Sequence, residues 1–188
     1  MTKPRTRNPT STRQRLLDAA ADLAFEEGAS GLSLEAVAAK AGVSKGGLLY
    51  HFPSKNALLR AMVADHVDRV RAELESRAPG ALSGSADPLP AVCCYLEVLR
   101  DEMCSPPANA AGIFAAMLED PVFMEPVLAF RNDLRALFDR CPNARTGAIV
   151  FLACEGLMHE KLTGNRRSPD QNIAVLADLS ALLKGEPA

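Results

Sequence analysis

One stretch of the 188-residue chain constrains its fold more than any other: Ser33 to Lys55, SLEAVAAKAGVSKGGLLYHFPSK. It reads as two short helices meeting at a tight turn. Small Ala38 and Ala41 let the helices approach, Gly42 can take the positive φ the turn needs, and Val37, Val43 and Leu48 can share a core. Gly46 and Gly47 fall in the first turn of the second helix, where each costs about 0.5–1 kcal/mol relative to alanine. Entry of that helix into a DNA major groove would compensate, because missing side chains let the backbone come close while the positive helix N-terminus faces phosphate. A simple flexible turn is the alternative reading of the pair.

The surrounding punctuation predicts helices throughout and an all-α fold, since no segment sustains the period-two alternation of strands. Ser11 with Gln14 predicts a capping box that opens a first helix ending near Gly28, with Leu16, Ala20, Leu23 and Ala24 on one face. Ser33 caps a second helix that stops before Gly42, and Ser44 a third that stops before Pro53. From Ser54 a fourth helix reaches about Arg77 with Leu58, Met62, His66, Val70 and Leu74 at steps of four. Pro79 to Pro90 reads as a loop, followed by helices over about 91–103, 109–118, 121–140, 144–162 and 169–183.

Charge divides the chain in the same way. Residues 1–55 carry eight Lys or Arg against five Asp or Glu, a balance of +3, while 56–188 carry thirteen against eighteen, a balance of −5. Lys3, Arg5, Arg7, Arg13 and Arg15 form an acid-free basic segment suited to a polyanion, or else a solvated, disordered tail. With 48% hydrophobic and 23% charged residues, the composition is that of one or two small globular domains. The absence of an eighteen-residue apolar run and the polar N-terminus predict a cytoplasmic protein with no membrane span. Cys93, Cys94, Cys104, Cys141 and Cys154 lack CxxC spacing and read as buried thiols.

The stretches FEEGASGLSLEAVA and GVSKGGLLYHFPSK, within a match over about Thr12 to Leu59, resemble the TetR/AcrR family of bacterial one-component transcriptional regulators. That resemblance implies an all-helical homodimer without a cofactor. It implies a basic arm over 1–10, a helix-turn-helix DNA-binding domain over 11–53 and an effector-binding and dimerisation domain over 54–188. Carried over by position, Ser44, Lys45 and Gly46, with Gly47 beside them, start the recognition helix against bases or flanking phosphates, and Leu48 packs inward. Tyr50, His51 and Lys55 match phosphate-contacting positions, while His51 could also serve as a helix C-cap. Thr12, Arg13 and Ser33 are further phosphate contacts that capping or solvation would equally explain; Phe52 is expected to pack rather than stack on a base. Two recognition helices related by a dyad require an inverted-repeat operator with half-sites about 34–36 Å apart, or a multiple of that.

Beyond Leu59 the resemblance thins. It draws candidate pocket residues from the helices this family uses: Met62, His66, Leu96, Leu99, Met103, Phe114, Met117, Leu118, Phe123, Phe130 and Met158, any of which could instead be ordinary core. With only His66, Tyr95, Glu119 and Arg131 as polar anchors, a hydrophobic or amphipathic effector is expected, whose binding releases the operator. The last two long helices, with Phe151, Glu155, Ile173, Leu176, Leu179 and Leu183, are expected at the dimer interface, although the leucine stripe could close only its own subunit's core. No GxSxG, P-loop, HExxH or dinucleotide motif points to an enzyme. A thiol- or metal-responsive regulator on the same fold is the alternative, against which the scattered cysteine spacing argues.

Overall fold

Serine side chains start five of the helices, each accepting a backbone N–H that the first turn leaves without a partner. The computed structural model describes residues 11–104, 121–163 and 167–186, and among these all regular structure is helical. Helix α1 (Thr12–Gly31) begins after Ser11, whose Oγ accepts the Gln14 N–H at 3.1 Å. The reciprocal half of the expected capping box is absent. Gln14's amide instead donates to Asp18 and, 51 residues along the chain, to Asp65, each at 3.1 Å. Gly28 does not end the helix, because glycine permits a stop without imposing one.

Helices α2 (Leu34–Ala41) and α3 (Lys45–His51) follow, α3 ending at Phe52 where Pro53 disfavours helical geometry. The 23-residue α4 (Lys55–Arg77) is roughly 35 Å long. The connection after it is shorter than expected, since α5 (Pro88–Cys104) starts at Pro88 rather than Ala91. Asp87 explains the early start: its carboxylate accepts from Leu89 N, and a proline in the first turn sacrifices no helical donor. Glu75 holds the connection by accepting from Gly80 N and Leu82 N at 2.8 Å, and Arg140 donates to the carbonyls of Ala81 and Gly84 at 2.9 and 2.6 Å.

The expected helix over 121–140 is divided into a 3₁₀ turn, Pro121–Met124, and α6 (Glu125–Asp139), with Pro126 in the first turn of α6. Helices α7 (Ala144–Thr163) and α8 (Pro169–Lys184) complete the described chain. Ser168 and Gln171 form a full capping box at the start of α8, and Gly185 ends it at φ 72°. Two apolar cores result. The first joins α1, α2 and α3 to Leu58, Leu59, Met62 and Val63 of α4, so it extends past Pro53. The second runs from Val67 and Leu74 of α4 through α5, α6, α7 and α8.

Candidate nucleic-acid interface and effector domain

The turn between α2 and α3 sets the pose of α3. Gly42 lies in the left-handed region at φ 67°, ψ 39°; its N–H reaches Ala39 O at 3.1 Å, and the Val43 N–H reaches Ala38 O at 2.9 Å. Those paired bonds make a Schellman ending that only a residue without strain at positive φ serves well. Arg15 of α1 clamps the same turn, donating to the Ala41 carbonyl and, at 3.3 Å, to that of Gly42. Arg15 is therefore committed to the fold, although its charge had placed it among the residues suited to a polyanion. Lys40 ties α2 to α1 through Glu26 at 2.9 Å, which raises its pKa.

With the turn locked, α3 divides into an inner and an outer face. Leu48 and Phe52 are buried in the first core, as expected of both. Tyr50 is 86% exposed, with its ring edge-on to His51 at 5.3 Å, and Leu49 is also exposed. The glycine pair has two different explanations. A Cβ on Gly47 would press on Ser44 Oγ at 3.3 Å, the oxygen that accepts Gly47's own N–H at 3.1 Å. A Cβ on Gly46 would meet nothing within 4 Å, so no intramolecular contact requires a glycine there.

The remaining predicted contacts stand at helix starts. Arg13 at the start of α1 lies over the Phe52 ring, 5.5 Å from its centroid. Lys45 forms an exposed ion pair with Glu35 in the first turn of α2, two residues from Ser33, and the ammonium holds that carboxyl below its ordinary pKa. Ser33 Oγ is occupied as the α2 cap, accepting Ala36 N–H at 3.1 Å, while Thr12 opens α1 and Lys55 opens α4. The first turns of α1 and α2 thus reach α3 and its cap, through Arg13 on Phe52 and Glu35 on Lys45. The basic arm over 1–10 lies outside the described residues.

In the second domain the predicted pocket residues separate. Leu96, Leu99, Met103 and Phe130 are buried in the second core, with Met158 packed against it. Met62 and Phe123 belong to the first core instead, Phe123 on a 3₁₀ turn that packs against α4, so neither lies within the C-terminal bundle. Phe114, Met117, Leu118 and Glu119 lie outside the described residues. Tyr95 is buried edge-on against Phe138 at 5.9 Å, and burial pushes its phenol pKa up. Arg131 is paired with Glu155. His66 faces Glu102 at 3.9 Å, beside Lys161.

Among the described residues no group of three or more His, Cys, Asp or Glu could hold a metal ion. Burial raises the thiol pKa of Cys94 and Cys141, and that of Cys154 to about 12, the opposite of what a reactive thiolate needs. Cys104 is exposed and Cys93 and Cys94 are half-buried, so only Cys141 and Cys154 are the buried thiols expected of all five, but no described feature supports the thiol- or metal-responsive alternative. No described helix is long and apolar enough to cross a membrane.

Known proteins share both halves of this arrangement. Residues 16–62 match the model of the bacterial regulatory proteins of the tetR family, and residues 91–184 match the tetracyclin repressor-like C-terminal domain. The chain belongs to the TetR family. The transcriptional regulator RutR of Escherichia coli K12 is 34% identical over 142 residues, spanning 73% of this chain and 62% of RutR. SrpR of Pseudomonas putida, another transcriptional regulator, is 42% identical over 53 residues, 28% of this chain and 25% of its own. The same fold occurs in the multidrug binding protein EbrR with malachite green (TM-score 0.68, 22% identity, 94% of this chain and 98% of that one). SCO4454 of Streptomyces coelicolor, a TetR-family transcriptional regulator, gives a TM-score of 0.70 at 21% identity over 93% of this chain and 95% of its own.

On this TetR-family chain the residues expected at a dimer interface mostly turn inward. Phe151 packs against Phe138 at 5.6 Å, Leu176 and Leu179 are buried in their own subunit's core, Leu183 is packed against it, and Glu155 holds Arg131. Of the six, Ile173 is the exposed apolar residue, at 38%. Beside Ile173, the outward apolar side chains of α7 and α8 include Ile149, Leu152 and Leu182, with Leu152 62% exposed. Because α7 is apolar on both sides, spacing alone did not separate Phe151 from Leu152.

Proposed function

We propose that this TetR-family chain is a cytoplasmic, dimeric, one-component transcriptional repressor. It binds an inverted-repeat operator through α3 and releases it when a small, mainly apolar effector enters the C-terminal domain. The carrying observation is the outer face of α3: Tyr50 86% exposed and Gly46 bordering open space, on a helix whose other face is locked by Leu48 and a Schellman turn. Neither feature serves the chain's own fold. Tyr50, His51, Lys55, Thr12 and Arg13 supply phosphate and sugar contacts that set register, and the start of α3 supplies base contacts.

Dimerisation is assigned to the outward face of α7 and α8, where Ile149, Leu152, Ile173 and Leu182 are exposed in one subunit. The ligand complexes of EbrR, with malachite green, ethidium and proflavin, support small-molecule binding by this chain. The deciding experiment is a salt-titrated binding assay on DNA immediately upstream of the chain's own coding region, footprinted for symmetry. Protection of an inverted repeat with a steep salt slope is expected. Weak, sequence-insensitive binding that leaves no footprint would overturn self-regulation.

A further inference from the structure

Among the described residues, a polar cluster joins three helices that also pack through the apolar side chains of the second core. Lys161 of α7, its side chain 8% exposed, donates to the backbone carbonyl of Glu102 and, at 3.3 Å, to that residue's Oε1. His66 of α4, 15% exposed, holds Nε2 3.9 Å from the same oxygen, beyond hydrogen-bond reach. Glu102 lies in the last turn of α5, so three helices meet here. The other charged groups close to the imidazole are Asp65 and Arg69, which pair with one another at 3.2 Å. One helical turn before Glu102 and Lys161 stand Leu99 and Met158, apolar residues of the second core already singled out for a pocket.

Hydrogen-bonding capacity is left over. An ammonium has three N–H donors and Lys161 uses two, while Glu102 Oε2 and both His66 nitrogens make no hydrogen bond among the described residues. The charges already balance. Glu102 offsets Lys161, and burial disfavours the imidazolium. A ligand carrying a full charge would leave one charge uncompensated in a half-buried site, whereas a neutral group that donates to Glu102 and accepts from Lys161 or His66 leaves none. We infer that His66, Glu102 and Lys161 form the polar anchor of the effector site, selecting an uncharged, mainly apolar molecule that carries a hydrogen-bond donor beside an acceptor. This inference rests on the proposed effector-responsive function and supplies the chemistry of its ligand.

Benzamide, benzoate and benzamidinium share one ring and nearly one shape while differing in charge, so they are the probes. Each is titrated into the full chain at pH 8, with affinity read by calorimetry and site occupancy by the His66 ring resonance, assigned with His66→Gln. Benzamide is expected to bind at least tenfold tighter than either ion. Glu102→Gln removes the carboxylate isosterically and should move the preference to benzoate, while Lys161→Met should move it to benzamidinium. If Lys161→Met does not fold, Glu102→Gln decides alone. Equal affinities, no binding by any probe, or an order unchanged in Glu102→Gln would overturn the inference. Operator affinity measured alongside separates the two readings. Benzamide selectivity that leaves operator binding unmoved preserves the anchor and refutes its effector role, and a chain that binds no operator refutes the regulator while the titration still judges the site.

Discussion

Gly46→Ala should make the protein more stable and its DNA binding weaker. Gly46 is the second residue of α3, is not among the glycines at positive φ, and a Cβ there meets nothing within 4 Å. Alanine therefore fits without strain and recovers about 0.5–1 kcal/mol of helix propensity, toward the lower end in a first turn. For a protein of this size that raises Tm by about 1–4 °C. The same methyl would stand between the α3 backbone and the groove, so operator affinity should fall at least ~10-fold, about 1.4 kcal/mol. Gly47→Ala is the control. Its Cβ would press on Ser44 Oγ at 3.3 Å, disturbing a cap worth about 1 kcal/mol, so no stability gain is expected. Calorimetry and fluorescence anisotropy on one operator read both quantities. Wild-type operator affinity in Gly46→Ala would refute the close approach of DNA to this backbone, and a lowered Tm would refute the open-space argument.

The same geometry fixes the outcome of further substitutions. Tyr50→Ala, at an exposed site, should leave stability within about 0.5 kcal/mol while weakening operator binding at unchanged salt slope; Lys55→Ala should reduce that slope by about one, and equal slopes would exclude the phosphate contact. Arg15→Ala should cost roughly 1 kcal/mol by leaving two turn carbonyls without their donor, with Arg15→Lys failing to restore it; an unchanged denaturation midpoint would contradict the clamp. Leu152→Glu should yield a folded monomer in sedimentation velocity, and a retained dimer would move the interface elsewhere. His66 has a folded-state pKa below its ordinary 6.5, so the unfolded chain binds the extra proton; stability should decline as pH falls below about 6.5 and level off under the folded pKa. His66→Gln should flatten that step, and chemical denaturation at several pH values would expose a flat wild type.

Helix order was legible because starts and stops are local: a serine, then a glycine or proline, within a few residues of each boundary. Leu48 was legible as core from its apolar partners Val37 and Val43, whereas the outward Tyr50 was legible only through the family resemblance. What failed depends on partners distant in sequence. Arg15 counts as a basic residue until Ala41 and Gly42 come beside it. Pro88 is the local exception, read as loop although Asp87 beside it holds the first turn. Phe151 and Leu152 are equivalent by composition, and only the position of α6 makes one core and the other surface. His66 stood out as a lone polar residue on an apolar face, but Glu102 and Lys161 meet it across 36 and 95 residues, a span that no periodicity reports.

The two apolar cores share α4, and that bears on how a site in one domain can act on the other. Met62 and Val63 close the first core and Val67 opens the second, so the seam lies at Ala64, Asp65 and His66. Asp65 accepts from Gln14 of α1 at 3.1 Å while His66 faces Glu102 from the opposite domain. Phe123 reinforces the seam from the other side, buried in the first core while Val127, one turn on, packs against both cores, with Arg60 and Glu125 joined at 2.6 Å. Interiors at close-packed density respond to displacement by moving whole elements rather than by deforming smoothly. A ligand that displaces His66 relative to Glu102 and Lys161 therefore acts on the same rigid helix that carries part of the DNA-binding core, and no relay of side chains is needed. Its effect on the operator is bounded by its preference for one position of α4 over the other. A molecule that binds the cluster tightly in both positions would shift nothing.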